Sequence, residues 1–361
     1  TLIFAGCSKN NTSSIIDNVD SNYTVSGNIK DSNGNGLENV TLKFTDFGTT
    51  TTDSDGHWEK DGLSGEVTIN PAKTGYSFEP NKKVVSSHKD GINFTAQKIE
   101  SSYKVGMVTN SSGLGNNNFN DYAKKGLEKA KDSFGIETKI KESNSTDDYV
   151  SNLESLAEDG YDMIWAVGFD MKEALTKVSE KYPEQKFGII DISLDNPGNN
   201  EVAISFKEQE GSFLAGVAAA LRTDTNKIGF IGYDDIPLIQ KFEAGFRAGV
   251  IRSASDVKVI TRYTETFSDS NVAYSKADDL FKNQNVDIIF HATGRAGNGV
   301  ISAAQDNGKY AIGVDTPQYE LAPNNVLTSM IKKIDTVVYK EIEKLVTNNF
   351  KSGNKVYGLA A

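Results

Sequence analysis

From Tyr103 onward, short apolar runs alternate with longer segments in which apolar residues recur every three to four positions. The apolar runs have the length of buried strands, and the longer segments have the period of amphipathic helices. Strands that alternate with helices predict parallel sheets covered by helices on both faces. The predicted strands are, in chain order, YKVGMVT, ETKIKES, YDMIWAVG, KFGIIDIS, KIGFIGY, VKVITRYTE, VDIIFHAT and KYAIGVD.

This α/β pattern is too long for one sheet and restarts near Lys227 with the run KIGFIGY. We therefore expect residues 101–361 to form two doubly wound lobes joined by a hinge. The first lobe would comprise about 101–222 together with 325–361, and the second about 225–320. Ligands of doubly wound sheets bind at the carboxyl ends of the strands. Two such lobes can bring these ends together in one cleft.

Residues 23–98 follow a different pattern, with short alternating or β-branched runs separated by turn signals. Such a pattern predicts a small all-β sandwich, and the order of its motifs resembles carboxypeptidase-regulatory-like, prealbumin-like modules. The segments DSNGNG and DSDG look faintly like calcium loops, but Asn-Gly and Asp-Gly turns explain them without metal. We expect this module to act as a stalk, with residues 1–22 as a leader and tether.

Composition and charge narrow the choice of partner. The chain has 361 residues and a formal net charge of −11. Phosphate backbones are bound by clustered Lys and Arg, so this balance argues against nucleic acid as the main partner. No run approaches the roughly 18 apolar residues of a membrane span.

Cys7 is the only cysteine, so no internal disulfide can form. It follows Ala5 and Gly6 and precedes a polar Asn/Ser-rich tract. This arrangement resembles the lipobox of bacterial lipoproteins, with Phe4 where Leu is usual. The resemblance predicts lipidation of Cys7 and a position on the outer face of the cell membrane, with residues 8–22 as the tether. The alternative is a chance cysteine in a leader segment.

Candidate ligand-binding residues lie where predicted strands end. Aromatic rings, amides, carboxylates and one lysine at such positions could stack a flat ring, hydrogen-bond its edge and hold hydroxyl groups. Each residue also has a structural reading, since a strand-end Asp often caps the next helix and a Phe at a helix start often packs as a staple. The candidates are Asn110, Phe119, Asn120, Asp191, Phe267, Gly294, Asp315 and Lys332.

The order of several motifs resembles the BMP (basic membrane protein) family of lipoproteins, of the purine nucleoside receptor type. These motifs are VGMVTN, NNFNDYAKKGL, QEGSFLAGVAAAL, KIGFIGY, FEAGFRAGV, FHATGRAGNGV, AIGVDTPQ and VLTSMIKK, within residues 103–358. The resemblance implies a type I periplasmic-binding-protein fold. It also implies a substrate-binding protein that delivers nucleosides to an ABC permease.

The resemblance also implies roles for individual residues. Phe119 would stack on a purine base, and Asn120 would hydrogen-bond its edge. Phe267 is the best match for a second ring, with Phe206 as a weaker one. Asp191 would read base nitrogens.

The sugar would be held by other residues of the same set. Asp315 would accept hydrogen bonds from the ribose hydroxyls, Lys332 would support the sugar, and Gly294 would let the backbone approach the ligand. Two positions depart from the family pattern: Asn110 stands where Asp is usual, and Arg295 replaces a glycine. Both bear on the base edge that the site reads or on its tolerance of phosphate.

Nothing in the sequence favours an enzyme. The histidines are His57, His88 and His291, and they form no metal-ligand or Cys-His motif. Asp234 and Asp235 are too few for a nucleosidase of the calcium-dependent kind. We expect a monomeric receptor without cofactor or metal, whose partners are a small ligand and a permease. A sensor or a sugar-binding protein of the same fold is the alternative.

Overall fold

The computed structural model describes residues 22–99, 102–115 and 118–359. The predicted lipidation site, Cys7, and its tether to residue 21 lie outside these residues. The chain divides between residues 99 and 100 into two compact units.

The first unit consists of strands alone. Its strands in the described residues are β1 (Tyr23–Asp31), β2 (Thr41–Phe44), β3 (Gly48–Thr51), β4 (His57–Leu63), β5 (Val67–Ala72), β6 (Tyr76–Glu79), β7 (Lys83–Val85) and β8 (Phe94–Lys98). They form two four-stranded sheets, ordered β4-β1-β8-β6 and β3-β2-β5-β7. The β1–β8 pair is parallel and the other pairs are antiparallel.

Both sheets of the first unit contribute to one apolar core. Along β1 buried and half-buried residues alternate, as expected for a strand with one face on a core. The rings of Phe44 on β2 and Trp58 on β4 lie 5.8 Å apart between centroids and join the two sheets. The predicted all-β segment is thus confirmed as strands, while its stalk role remains a prediction.

The second unit alternates strands and helices. Its described strands are β9 (Lys104–Thr109), β10 (Glu137–Lys141), β11 (Met163–Val167), β12 (Lys186–Ile190), β13 (Glu201–Phe206), β14 (Lys227–Gly232), β15 (Lys258–Tyr263), β16 (Ile288–Ala292), β17 (Tyr310–Asp315), β18 (Val326–Ile331) and β19 (Gly353–Tyr357). Its described α-helices are α1 (Phe119–Phe134), α2 (Asp148–Glu158), α3 (Lys172–Lys181), α4 (Glu208–Arg222), α5 (Pro237–Ser253), α6 (Ser270–Asn283), α7 (Asn298–Asp306) and α8 (Ile334–Val346).

These strands form two parallel sheets, so the predicted fold class is confirmed. The first lobe contains the order β10-β9-β11-β12-β13-β19, and the second contains β15-β14-β16-β17-β18. All pairs in both sheets are parallel. Strands β11 and β16 are buried at every position, which explains their uninterrupted apolar runs.

The first helix of this unit is defined by its caps. The Asn118 side chain accepts the Asp121 N–H, and the Asp121 carboxylate accepts the Asn118 N–H. This reciprocal pair is a capping box, and it fixes Phe119 as the first helical residue. The helix ends at Gly135, whose φ of 67° suits glycine.

The lobe boundaries differ from those predicted from the sequence. Helix α4 and strand β18 belong to the second lobe. Both fall in the stretches 101–222 and 325–361 that the sequence predicts for the first lobe. Strand β18 pairs with β17, and the inner face of α4 joins the core of the second sheet. The chain therefore crosses between lobes at residues 207–208 and again at 332–333.

Close contact with α5 explains the position of α4. A Cβ at Gly216 would lie 2.1 Å from the Phe246 carbonyl oxygen, and one at Gly249 would lie 2.0 Å from the Phe213 oxygen. Only glycine lets the two helix backbones approach so closely. Among the described residues, no helix has both the length and the apolar character needed to cross a bilayer.

Candidate functional site

A cavity of about 560 Å³, including its open mouth, lies between the two lobes. It is formed where strands of both sheets end, as expected for doubly wound sheets. The lining residues are Asn110, Ser112, Asn118, Phe119, Gly168, Phe169, Asp191, Leu238, Ile239, Phe242, Phe267, Ala292, Gly294, Arg295, Val314, Asp315 and Lys332.

Most of the candidates chosen from the sequence line this cavity, and two do not. Asn120 is buried behind it, donating from Nδ2 to Asn110 Oδ1 at 2.9 Å and to the Gly113 oxygen at 2.8 Å. Phe206, the weaker match for a second ring, packs against the core of the first lobe instead. The candidates that line the cavity are Asn110, Phe119, Asp191, Phe267, Gly294, Asp315 and Lys332.

One end of the cavity is lined by a cluster of largely buried charges, Asp191, Asp315 and Lys332. Glu208 contacts Lys332 without lining the cavity, and we call the four residues together the charged floor. The Lys332 Nζ lies 2.8 Å from Asp191 Oδ2, 3.3 Å from Glu208 Oε1 and 3.7 Å from Asp315 Oδ1. Asp191 ends a strand of the first lobe, and Asp315 ends one of the second. Lys332 therefore connects the two lobes by charge.

Burial and charge together set the protonation of this floor. Burial raises the pKa of Asp191 to about 7, with the attraction of Lys332 acting in the opposite direction. Burial likewise raises the pKa of Asp315. Burial would lower the pKa of Lys332, but attraction to the three carboxylates outweighs it and raises that pKa. The lysine stays charged, while Asp191 and Asp315 ionise reluctantly.

The two strand-end aspartates each retain an unused oxygen. Within the described residues, Asp191 Oδ1 and Asp315 Oδ1 are buried and accept no hydrogen bond. Both residues have a left-handed backbone, with φ of 72° and 64°. Unusual backbone angles and unsatisfied polar atoms gather at functional sites. These oxygens can each accept a hydroxyl hydrogen from a ligand.

Three half-buried aromatic rings also line the cavity: Phe119, Phe169 and Phe267. Phe119 lies beside the charged floor, with Lys332 Nζ 5.9 Å from its ring centroid, and we call the region around Phe169 and Phe267 the aromatic end. Phe169 meets Phe267 edge-on across the cleft, with centroids 5.9 Å apart. Tyr233 stacks on one face of Phe267 at 3.7 Å and holds that ring in place. A Cβ at Gly294 would lie 3.1 Å from Phe267 Cδ1, so glycine there leaves room for the ring.

A chain of hydrogen bonds fixes Asn110 at the end of β9. Its Oδ1 accepts from Asn120 Nδ2 at 2.9 Å and from the Ser112 N–H at 3.2 Å. Its Nδ2 lies 3.5 Å from Asp170 Oδ1, and the other oxygen of Asp170 accepts the Tyr149 hydroxyl at 2.5 Å. Asn120 therefore positions the amide of Asn110 rather than facing the cavity itself.

His291 lies beside the cavity and is fully buried. Its Nε2 donates to Gln318 Oε1 at 3.0 Å, and that oxygen also accepts the Val314 N–H at 2.9 Å. Burial lowers the pKa of His291 to about 4, so the ring is neutral near pH 7. The histidine therefore supports the strands behind the site.

Two residues of the site were missed in the sequence: Phe169, which lines the cavity, and Glu208, which contacts Lys332. Phe169 follows the end of β11, so the strand-end criterion used for the other candidates would have found it. Glu208 gave no such signal, because it begins α4 and its role depends on the crossover between lobes. No group of His, Cys, Asp and Glu able to hold a metal occurs in the described parts of the chain.

The two parallel-sheet lobes and the cleft at their strand ends define the class of two-lobed solute-binding proteins. An ABC transporter solute-binding protein from Aeropyrum pernix K1 has this fold, with a TM-score of 0.67 and 28% identity. The match covers 71% of this chain and 74% of that one. An ABC transporter solute-binding protein from Agrobacterium vitis, bound with α-D-tagatopyranose, shares the fold at 16% identity and a TM-score of 0.56, covering 71% of this chain and 93% of that one.

The family model described as ABC transporter substrate-binding protein PnrA-like matches residues 103–360, and the chain belongs to this Bmp family. The CD4+ T-cell-stimulating antigen of Listeria monocytogenes is 33% identical over 76% of this chain and 82% of its own. Basic membrane protein A of Borreliella burgdorferi is 36% identical, and the match covers 71% of this chain and 76% of that protein. The ABC transporter nucleoside-binding protein BmpA of Lactococcus lactis is 32% identical, and the match covers 73% of this chain and 84% of that protein. The protein is thus a transporter substrate-binding protein and not an enzyme.

Proposed function

We propose that the cleft captures purine ribonucleosides and that the loaded protein delivers them to an ABC permease. The observation that carries this proposal is the pair of unused buried oxygens on Asp191 and Asp315, placed in the same cavity as a set of aromatic rings. A ribonucleoside combines vicinal hydroxyl donors with a flat heterocycle. Few other small metabolites offer both groups in one molecule.

The ribose fits the charged floor. The free oxygen of Asp315 accepts a sugar hydroxyl, while Lys332 holds the floor together and can donate to a sugar oxygen. A buried acceptor left without its donor is costly, so the floor favours ligands that carry both hydroxyls. The base then lies at the aromatic end, between Phe119 and Phe267, where ring stacking accepts more than one base.

The name of the Lactococcus relative, a nucleoside-binding protein, supports this ligand class. Sugar binding without a base is the alternative that the same fold accommodates. The charged floor alone would serve a sugar, but the three rings that line the cavity would then have no counterpart on the ligand.

The test is calorimetric titration of the purified chain, after unfolding and refolding to remove bound ligand. The panel is inosine, 2′-deoxyinosine, uridine and ribose. We expect inosine to bind and ribose not to bind. Asp315→Asn should weaken inosine binding by about 10–100-fold, because a hydrogen bond to a charged acceptor contributes about 1.5–3 kcal/mol. The loss of affinity caused by Asp315→Asn should be smaller for 2′-deoxyinosine than for inosine.

Asp256→Asn is the matched control, since Asp256 is exposed and does not line the cavity. It should bind inosine like the unaltered protein. Binding of ribose but not inosine would replace the proposal with sugar uptake. Equal effects of Asp315→Asn on both nucleosides would remove the sugar hydroxyls from the role assigned to Asp315.

We further propose that lipid on Cys7 holds the monomer at the outer membrane face, with the β unit as a stalk. The single cysteine in a lipobox-like context supports this location. Labelling of growing cells with an alkyne fatty acid should tag the protein, and Cys7→Ser should abolish the label. A label that persists in Cys7→Ser would overturn the anchor.

A further inference from the structure

The polar groups at the aromatic end of the cavity are hydrogen-bond donors. Arg295 follows Gly294 in the short 3-10 turn after β16 and lines the cavity. Its Nη1 donates to the Ser112 carbonyl oxygen across the cleft at 3.4 Å. A guanidinium carries five N–H groups and no acceptor. Within the described residues Arg295 has no acidic partner, so most of its donors remain for a ligand.

Asn110 also presents a donor rather than an acceptor. Its Oδ1 already accepts two hydrogen bonds, from Asn120 and from the Ser112 backbone. Its Nδ2 faces Asp170, and this carboxylate sets the direction of the amide because it accepts from an N–H and repels a carbonyl oxygen. The amide packs on the backbone of Gly168, where a Cβ would lie 2.7 Å from Nδ2. The remaining N–H is the only hydrogen-bonding capacity left on this side chain.

The side chain of Asn118 adds nothing to this end of the cavity. Its Oδ1 accepts the Asp121 N–H, and its Nδ2 donates to the oxygens of Gly113 and Gly115. The cavity therefore has two unlike ends. The charged floor offers acceptors in Asp191 and Asp315, and the aromatic end offers donors.

A ligand that matches both ends carries donors on its sugar and acceptors on the exposed edge of its base. Adenine presents an amino donor at position 6, which would face the N–H groups of Arg295. A 6-oxopurine presents O6 and N7, two adjacent acceptors that match the fork of a guanidinium. The same pairing is the commonest specific contact between arginine and guanine in DNA.

We infer that Arg295, with Asn110 beside it, makes this receptor selective for 6-oxopurine ribonucleosides over adenosine. This inference rests on the proposed function, and it names the base that the same site prefers. Arg295 acts through O6 and N7, and Asn110 adds a donor to the same edge. The stacking rings contribute to affinity for any base, so they leave the choice of base to these two side chains.

The test compares inosine, guanosine, adenosine and 7-deazaguanosine by titration calorimetry with the full chain. Inosine and guanosine should bind about tenfold or more tighter than adenosine, the size expected of a bidentate pair. 7-Deazaguanosine, which lacks the N7 acceptor, should bind several-fold more weakly than guanosine. Equal or tighter binding of adenosine by the unaltered protein would overturn the inference.

Two variants of Arg295 sharpen the test. Arg295→Ala should bring the ratio of inosine to adenosine affinity near one. Arg295→Gln should move the ratio toward adenosine, because a carboxamide can pair with N6 and N7 of adenine. Arg252→Gln is the matched control, since Arg252 is exposed on α5 and does not line the cavity; it should keep the original ratio.

The outcomes separate the two proposals. If no nucleoside binds, the proposed function fails and the inference with it. If nucleosides bind but Arg295→Ala keeps the original ratio, only the role of Arg295 fails. Tighter binding of inosine 5′-monophosphate than of inosine would place Arg295 on a phosphate and would also overturn the inference.

Discussion

The charged floor and the aromatic end of the cavity are held in place by different kinds of interaction. In the floor, one lysine is surrounded by three buried carboxylates, and the state of each group depends on the others. At the aromatic end, half-buried rings pack against separate parts of the two lobes. Substitutions in the floor should therefore affect folding and binding together. Substitutions at the aromatic end should affect binding with little change in folding.

The largest effect is expected from Lys332→Met. This change leaves three carboxylates buried without their cation, and breaking a buried ion pair by removing one partner costs about 3–5 kcal/mol. Urea unfolding followed by fluorescence should show this loss. Lys333→Met is the matched control at the next position, where the side chain is exposed and should change stability by less than about 0.5 kcal/mol. A similar loss in both variants would contradict the special role of the floor.

A second prediction uses pH to separate the floor from the strands behind it. The pKa of Asp191 rises from 3.8 to about 7 on folding, so stability from this group is lost as pH rises from about 4 to 7. The pKa of His291 falls from 6.5 to about 4, so stability from that group is lost as pH falls through the same window. The two contributions oppose each other, and each is on the order of 4 kcal/mol at full extent.

Removing one group should reveal the other. The free energy of unfolding of Asp191→Asn should rise more steeply between pH 4 and 6.5 than that of the unaltered protein. That of His291→Gln should fall with pH relative to the unaltered protein. Chemical unfolding at several pH values provides both curves. Parallel curves for Asp191→Asn and the unaltered protein would show that Asp191 does not titrate in this window.

The smallest effect on stability is expected from Phe119→Ala. Loss of a stacking ring typically costs about 1–3 kcal/mol of binding per base, so inosine affinity should fall by roughly 5–150-fold. Phe350→Ala is the matched control, because Phe350 packs against the same core without lining the cavity. It should lower the unfolding free energy and leave affinity unchanged. If Phe119→Ala instead lost stability without affinity, the ring would belong to the core alone.

Much of the fold could be predicted from the sequence because periodicity reports burial directly. The uninterrupted apolar runs of β11 and β16 are those of strands covered on both faces. Seven of the candidates chosen from the sequence line the cavity, including Asp191 and Asp315. In parallel sheets the carboxyl ends of the strands must lie along one edge, so position along the chain predicted position in space.

Other features of the fold and the site depend on contacts between distant segments, which the local sequence pattern does not reveal. The lobe membership of α4 is decided by backbone contact with α5 through Gly216 and Gly249. The sequence shows these glycines but not which helix they face. Likewise, the Asn120 amide could read a ligand or hold Asn110. Only the fold shows that its donors are already used behind the cavity wall.

The crossovers between lobes carry two members of the charged floor, Glu208 and Lys332. If one lobe rotates against the other about these crossovers, each group moves in proportion to its distance from the rotation axis. The floor includes residues at these crossovers and would stay assembled, while Phe169 and Phe267, on opposite lobes, would separate. The sugar would then dock first on a site that is always formed, and the base would be clamped last. The charge of the floor would then mainly set the association rate of the ligand, and the ring contacts would mainly set its dissociation rate.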